Sequence, residues 1–448
     1  MKKLAGLALV VPALAAAMPV AALGQTPAAD TLSGYVRVPF NLSLFPPLAV
    51  AGGGQRALTS VGWHLVVGRS ARLEGAELGV VGSIQSDSAR GLQVAGLFNR
   101  VGGPLRGGQV SGFANSAAGP VHGLQTAGLL NHTRQALTGA QAAGLVNYAD
   151  GQAWGGQLAG LLNYAGGTLS GVQASGFANL TPADVTGIQM TGLLNVADAA
   201  LLQAAGLANH AGGSVLGGQA SGLVNVAEEA EVQVSGGVNV ARTAAMVQVS
   251  GLVNYAPAAT AQVGFVNVAR HAQGAQVGFV NWAAHQTGVP VGAFSYVAGV
   301  PVRLCAWGDE TGFANTAVVS GTPTFYSLLG AGVRGEDDHP RWWTVTTGFG
   351  AHLVRGATFC EVDGLSQMLA QGDDFASGTN QITRLRVAVG RQLAARAAAF
   401  VGVSLGLFTS EETGGGDLLP WTLADGWVGE DDGVYVALWP GVYAGMRF

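Results

Sequence analysis

The chain has 448 residues, of which 71 are Gly, 49% are hydrophobic and only 10% are charged, with a net charge of −5. Lys2 and Lys3 are its only lysines and the arginines are scattered, so it has no basic stripe and nucleic acid is excluded as a partner. So little charge beside so much Gly, Ala and Val is odd for a soluble enzyme; it suits thin repetitive β-structure, or a transmembrane barrel with one face against lipid.

The N-terminus has Lys2 and Lys3, an apolar run over 4–17 and small residues up to Gly24. It reads as a secretory signal peptide over 1–24, because the run is too short and too broken by Pro12 and Pro19 to span a bilayer, which takes about 20 apolar residues. No Cys near Gly24 offers a lipid anchor. Within 25–70, "GYVRVPFNLSLF" (34–45) and "LTSVGWHLVVG" (58–68) alternate in polarity across a Pro- and Gly-rich loop, and are expected as two strands of a barrel.

From 71 to 300 the sequence repeats. Asn99, Asn115, Asn131, Asn147, Asn163, Asn179 and Asn195 follow one another at sixteen-residue intervals, and six more copies continue less regularly to Asn281. Gln93, Gln109, Gln125, Gln141, Gln157, Gln173 and Gln189 each lie six residues before their Asn, and a Gly lies three before it. Helix is excluded as the unit by the Gly and β-branched content. The expected fold is all-β, a parallel β-solenoid of about thirteen coils of 14–16 residues; the alternative is one large meander β-barrel.

The fixed Gly favours the solenoid, since a coil corner needs its freedom whereas a mid-strand Gly has no purpose. In the copies ending at Asn267 and Asn281 the residue before that Gly is missing, a deletion that a corner tolerates and a paired strand does not. Stacked coils place the Gln and Asn amides in ladders, a structural role rather than a ligand site. Asn281, as the terminal copy, is expected to lean on fewer neighbours than Asn163. Tyr148, Tyr164, Tyr255 and Trp282 follow ladder Asn residues and are read as packing, with a partial outer stripe for carbohydrate or a partner as the alternative.

Over 301–448 longer alternating segments replace the repeat, with strands expected near 324–334, 342–354, 357–369, 381–392, 397–409 and 434–448. Long acidic connections alternate with tight turns and the chain ends on Phe448, a pattern of outer-membrane barrels. Six strands with the two N-terminal ones make eight, so the repeats are expected as an insertion between barrel strands two and three. Glu361 and Asp363 share one strand face, and Arg384 and Arg386 share a face of the next, as a paired network in a narrow lumen would require. Cys305 and Cys360 are a possible disulfide, with two buried thiols as the alternative.

No catalytic, cofactor or metal constellation emerges. "GVSLG" around Ser404 lies in alternating strand sequence rather than on a strand-turn-helix, and "GAGVRG" at 330–335 is followed by "EDDHP" instead of a helix. The eight His lack ligand spacing, and Asp337-Asp338, Asp373-Asp374 and Asp431-Asp432 read as solvated loop tips.

"FNLSLFPP", the chain of "GxQxAGLxN" copies, "GVPVGAFSYV" at 288–297 and "TFYSLLGAG" resemble the bacterial surface-repeat-containing proteins. The resemblance implies export to the outer membrane or cell surface and no known enzymatic activity; it supplies no functional residues. The absent lipobox Cys departs from its lipoprotein members. The expected function is therefore a non-enzymatic structural or interaction protein with outer-membrane lipid as its partner and no cofactor. The alternatives are a secreted adhesin-like module with a soluble β-sandwich, or a porin-like barrel.

Overall fold

The computed structural model describes residues 34–45, 48–49, 56–335, 342–371, 380–411, 419–428 and 433–448. The signal-peptide segment and the three acidic pairs lie outside the described residues. The fold is all-β, a parallel β-solenoid of about 15 turns and an antiparallel sheet of 9 strands. The chain forms two compact units, 1–230 and 231–448.

In the first unit each regular coil has a long strand bearing the Gln, such as Ala153–Ala159, and a short one bearing the Asn, such as Leu162–Ala165. Each strand pairs in parallel with its equivalent one coil away, Gln157 opposite Gln141 and Gln173, and Asn163 opposite Asn147 and Asn179. Parallel pairing of like residues rules out the meander, whose neighbours would run antiparallel. The interior divides in two. Leu105, Val121, Leu137 and Leu169 stack with Ala149 and Ala165 into an apolar half, and the amides fill the other.

The fixed Gly turns the corner between the two strands, as expected. A Cβ on Gly176 would run into the carbonyl oxygen of Gly160 one coil below. A second glycine column went unread in the sequence. Gly155, in the middle of its strand, has φ of +123°, and a side chain there would collide with the backbone of Gly139. The chain bends inside the long strand, at a conformation that only Gly adopts without strain.

The two N-terminal segments are not barrel strands. Val36–Phe45 pairs in parallel with Ala57–His64, which pairs in parallel with Val67–Gly79. They are the first coils of the solenoid. Alternation marks a strand with one buried face, but it does not say which sheet buries it.

In the second unit, coils with Asn239, Asn254, Asn267 and Asn281 in register lead to Phe294–Val297, where Ser295 lies opposite Asn281. The barrel follows. Its missing strands are Arg303–Asp309 and Ala314–Gly321, so the repeats precede the barrel and are not inserted in it. Arg303–Asp309 pairs with Ala314–Gly321 on one side and with Val434–Arg447 on the other, closing eight antiparallel strands into one sheet rather than a sandwich. A ninth strand, Ala424–Val428, pairs with 434–438, where the short first strand has run out. Short connections at 322–324, 356–357 and 395–396 join strands at one end, the end from which Arg303 starts; at the other end 310–313 joins the first two strands, and longer stretches of sequence separate Arg334 from Trp342, Gln371 from Asn380 and Ser410 from Val434.

Candidate functional site

Three groups of polar side chains are enclosed in this fold: the amide ladders, a cluster at the first coils, and the barrel lumen. In the ladders each Gln Nε2 donates backward to the Oε1 of the previous coil, Gln157 to Gln141 at 2.8 Å and Gln173 to Gln157 at 2.7 Å. Each Asn Nδ2 donates forward, Asn147 to Asn163 and Asn163 to Asn179, both at 3.0 Å. The two amide rows thus run in opposite senses. Asn163 Nδ2 also donates to the carbonyls of Ala174 at 2.7 Å and Gln157 at 3.1 Å, tying strand to corner and coil to coil. Gln157 and Asn163 are 0% exposed with their amide groups engaged, so this part of the ladder offers nothing to a ligand. The other predicted ladder residues occupy the same columns.

Asn281 is not a terminus. Its Nδ2 donates to Ser295 Oγ at 3.2 Å, and Ser327 of the barrel donates to that same oxygen at 2.8 Å. Ser320 accepts from the Ser295 backbone N–H at 3.1 Å. The Asn column of the second unit therefore runs into the short-turn end of the barrel. The loose end is Asn99, whose Oδ1 has no partner among the described residues, because Ser83 stands in the Asn column one coil earlier.

The Gln column begins on a group that sequence spacing did not reveal. Ser43 Oγ lies 2.6 Å from His64 Nδ1, and His64 Nε2 lies 2.5 Å from Glu77 Oε1. Gln85 donates to the other oxygen of Glu77, and Gln93 to Gln85. The order hydroxyl, imidazole, carboxylate is that of a nucleophile, a base and an orienting acid. All three are buried inside the coil, however, so no substrate carbonyl can reach Ser43. The group closes the hydrogen bonding of the ladder.

The aromatic stripe is packing where it is best formed. Tyr148 and Tyr164 stack with centroids 4.4 Å apart, and His132 meets Tyr148 edge-on at 5.3 Å while its Nε2 lies 3.3 Å from Asp150. Burial pushes the Tyr148 phenol up to about 12, helped by Tyr164 and Asp150. Burial also lowers the His132 pKa, Arg134 adding to it and Asp150 opposing it.

In the barrel the alternation is inverted relative to a soluble protein. Along Asn380–Ala394, Ile382, Arg384, Arg386 and Ala388 face inward and are buried, while Leu385, Val387 and Val389 face outward and are exposed. Val401, Val403 and Leu405 on the next strand, and Val442 and Met446 on the last, extend the outward apolar surface. Inside, Arg386 grips Asp363 at 2.7 and 3.0 Å, and lies over the rings of Tyr443 at 4.6 Å and Trp307 at 4.9 Å. Tyr326 donates to Asp363 at 2.7 Å.

Glu361, predicted to share this network, pairs with Arg447 instead, and Arg384 pairs with Asp309 at 2.7 Å beside Glu310 at 3.5 Å. The space left between Cys305, Glu361, Asp363, Arg386 and Tyr443 is about 20 Å³. That holds roughly one water molecule.

The disulfide does not form: Cys305 and Cys360 are free thiols. Cys305 faces the lumen, Cys360 faces outward, and their strands are not neighbours. Ser404 faces the lumen in mid-strand, and "GAGVRG" lies largely within the strand Phe325–Arg334. Among the described residues no three His, Cys, Asp or Glu side chains gather as a metal site.

No protein-family model matches the chain, and no curated protein matches it. Among solved structures it is similar to the N-terminal β-barrel domain of OprF from Pseudomonas aeruginosa, with 11% identity, 33% of this chain and 96% of that one covered, and a TM-score of 0.20. A likeness this slight carries no argument about function.

Proposed function

We propose that the C-terminal strands are an outer-membrane barrel that anchors a non-enzymatic interaction protein, with the solenoid as its extramembrane part. The observation that carries this reading is the inverted barrel, aliphatic outside and charged inside. In water such an outer surface costs free energy on every strand; in a bilayer it is the required pattern. The described lumen carries ion pairs and aromatic rings around a space of only about 20 Å³, which favours an anchor over a porin-like pore. Short turns conventionally face the periplasm and long loops the exterior. The coils ending at Val297 join the short-turn end, so the reading assigns them to the periplasmic side. The resemblance to surface-repeat proteins agrees with export.

Fractionation combined with gel mobility tests this. The chain is expected in the outer membrane, extracted only by detergent, and migrating faster before boiling than after. Recovery of the intact chain in a soluble fraction without detergent would sink the proposal.

A further inference from the structure

The repeats of the first unit can be compared with one another position by position, and one outward position is held constant. The residue after each corner Gly is Leu or Phe in every coil from Leu97 to Leu223. Eight of these nine side chains are exposed, from 38% at Leu193 to 52% at Leu97, and Leu129 is partly buried. The turn itself is made by the Gly, yet the residue after it keeps about half of a large apolar side chain in solvent. By contrast, the outward position at the start of the long strand drifts freely through Arg106, His122, Thr138, Trp154 and Ser170. A ridge of aliphatic and aromatic side chains therefore runs along one corner. Beside it a shallow groove of about 560 Å³ crosses four coils, floored by Thr126, Ala142, Ala143, Ala159, Ala174 and Ser175.

We propose that this ridge and groove are the docking surface for a second copy of this chain, the two solenoids lying side by side with their coils in register. Commensurability selects the occupant. The ridge repeats once per coil at the strand spacing of about 4.8 Å, and a partner that covers every Leu must carry the same period. A helix, at about 5.4 Å per turn, loses register within a few coils, whereas an identical solenoid keeps it, as identical side chains do between paired sheets of a dry zipper.

The ridge of one copy has a groove lined by small residues to enter on the other, so the surface is self-complementary. Its extent is also right. At roughly 80 Å² for each of the eight exposed Leu or Phe side chains, the ridge offers on the order of 650 Å², and the groove brings this near the about 800 Å² per partner of a stable interface. The parallel orientation rests on the membrane-anchor reading, since two chains anchored in one membrane point the same way.

Single cysteines at Leu97, Leu161 and Leu223, in a full-length Cys305→Ser and Cys360→Ser background, test the arrangement with a short bismaleimide cross-linker. Cross-linked species are expected at all three positions and not at Trp154→Cys. Cross-linking at Leu161 alone would mean antiparallel copies, and cross-linking at none would mean an uncovered or otherwise occupied ridge; either overturns the proposal. Light scattering on the native-cysteine chain provides a second measurement. Leu145→Ser, Leu161→Ser and Phe177→Ser together are expected to halve the particle mass, with an unchanged far-UV spectrum. A wild-type chain that is already monomeric also overturns it. Solubility without detergent would sink the anchor but leave the cross-linking pattern to decide the ridge.

Discussion

Asn163 shows how a ladder amide is used: it accepts from Asn147, donates to Asn179, and bonds two backbone carbonyls. Asn163→Leu removes all of these at once and leaves the buried Asn179 Oδ1 without its donor, while Asn147 Nδ2 keeps the carbonyls of Leu158 and Gln141, an expected loss of about 1–3 kcal/mol. Asn281→Leu is expected to cost a similar amount, because Ser295 supplies the neighbour that a terminal copy would have lacked. Asn99→Leu is expected to be the mild one, since its Oδ1 is already unpartnered among the described residues. Unfolding midpoints of the three variants in one detergent check the order.

His132 gives a pH-dependent counterpart. Its folded pKa lies below the ordinary value, so the unfolded chain binds the proton more readily. Stability is then present above about pH 6.5 and lost as the pH falls through that value towards the lower folded pKa. Melting temperatures of wild type and His132→Gln are expected to diverge above that range and converge below it; Asp150, Arg134 and Tyr148 are the titratable or charged groups that bear on the ring.

For single elements, backbone and charge impose different limits. In the strand Ala153–Ala159, Gly155 holds φ at +123° under a carbonyl of the coil below. Gly155→Ala is expected to destabilise the solenoid by more than about 1 kcal/mol, through both the strained backbone and the collision. Far-UV thermal unfolding of the variant checks this, and a neutral result would mean the bend can move. In the barrel, Arg386→Leu strands the Asp363 carboxylate in the lumen, at an expected cost of about 3–5 kcal/mol, while Arg386→Leu with Asp363→Leu is expected to recover much of it. The boiling temperature at which the compact gel band disappears ranks wild type, double variant and single variant in that order.

At the scale of the molecule, two β architectures invert the usual distribution of polarity. The solenoid buries amides and leaves Leu and Phe on its corner; the barrel buries Arg, Asp and Glu and leaves Val and Leu on its wall. Burying polar groups is costly where they find no partner, and both structures supply most of the partners through repetition or ion pairing. The anchor reading has a functional consequence. Purified protein in planar bilayers is expected to give no stepwise conductance, and steady open channels would restore the porin-like reading.

The parallel solenoid was legible in the sequence because it is a local property repeated: Gln, Gly and Asn at fixed spacing determine what stacks on what, and a deletion beside Gly264 or Gly278 is tolerable only at a corner. The inward and outward faces of Asn380–Ala394 and Val434–Arg447 were legible for the same reason, since a strand's period of two assigns each side chain to one face. Partners distant in the chain were not. The alternating segments at 36–45 and 57–64 carry the same signal whether a solenoid or a barrel buries them, and only pairing with Val67–Gly79 decides it. Arg384 chose Asp309, 75 residues away, and Glu361 chose Arg447, 86 residues away, because closure of the sheet sets side chains of non-adjacent strands across one lumen. Periodicity fixes the face a residue presents, whereas closure of the sheet fixes what it meets there.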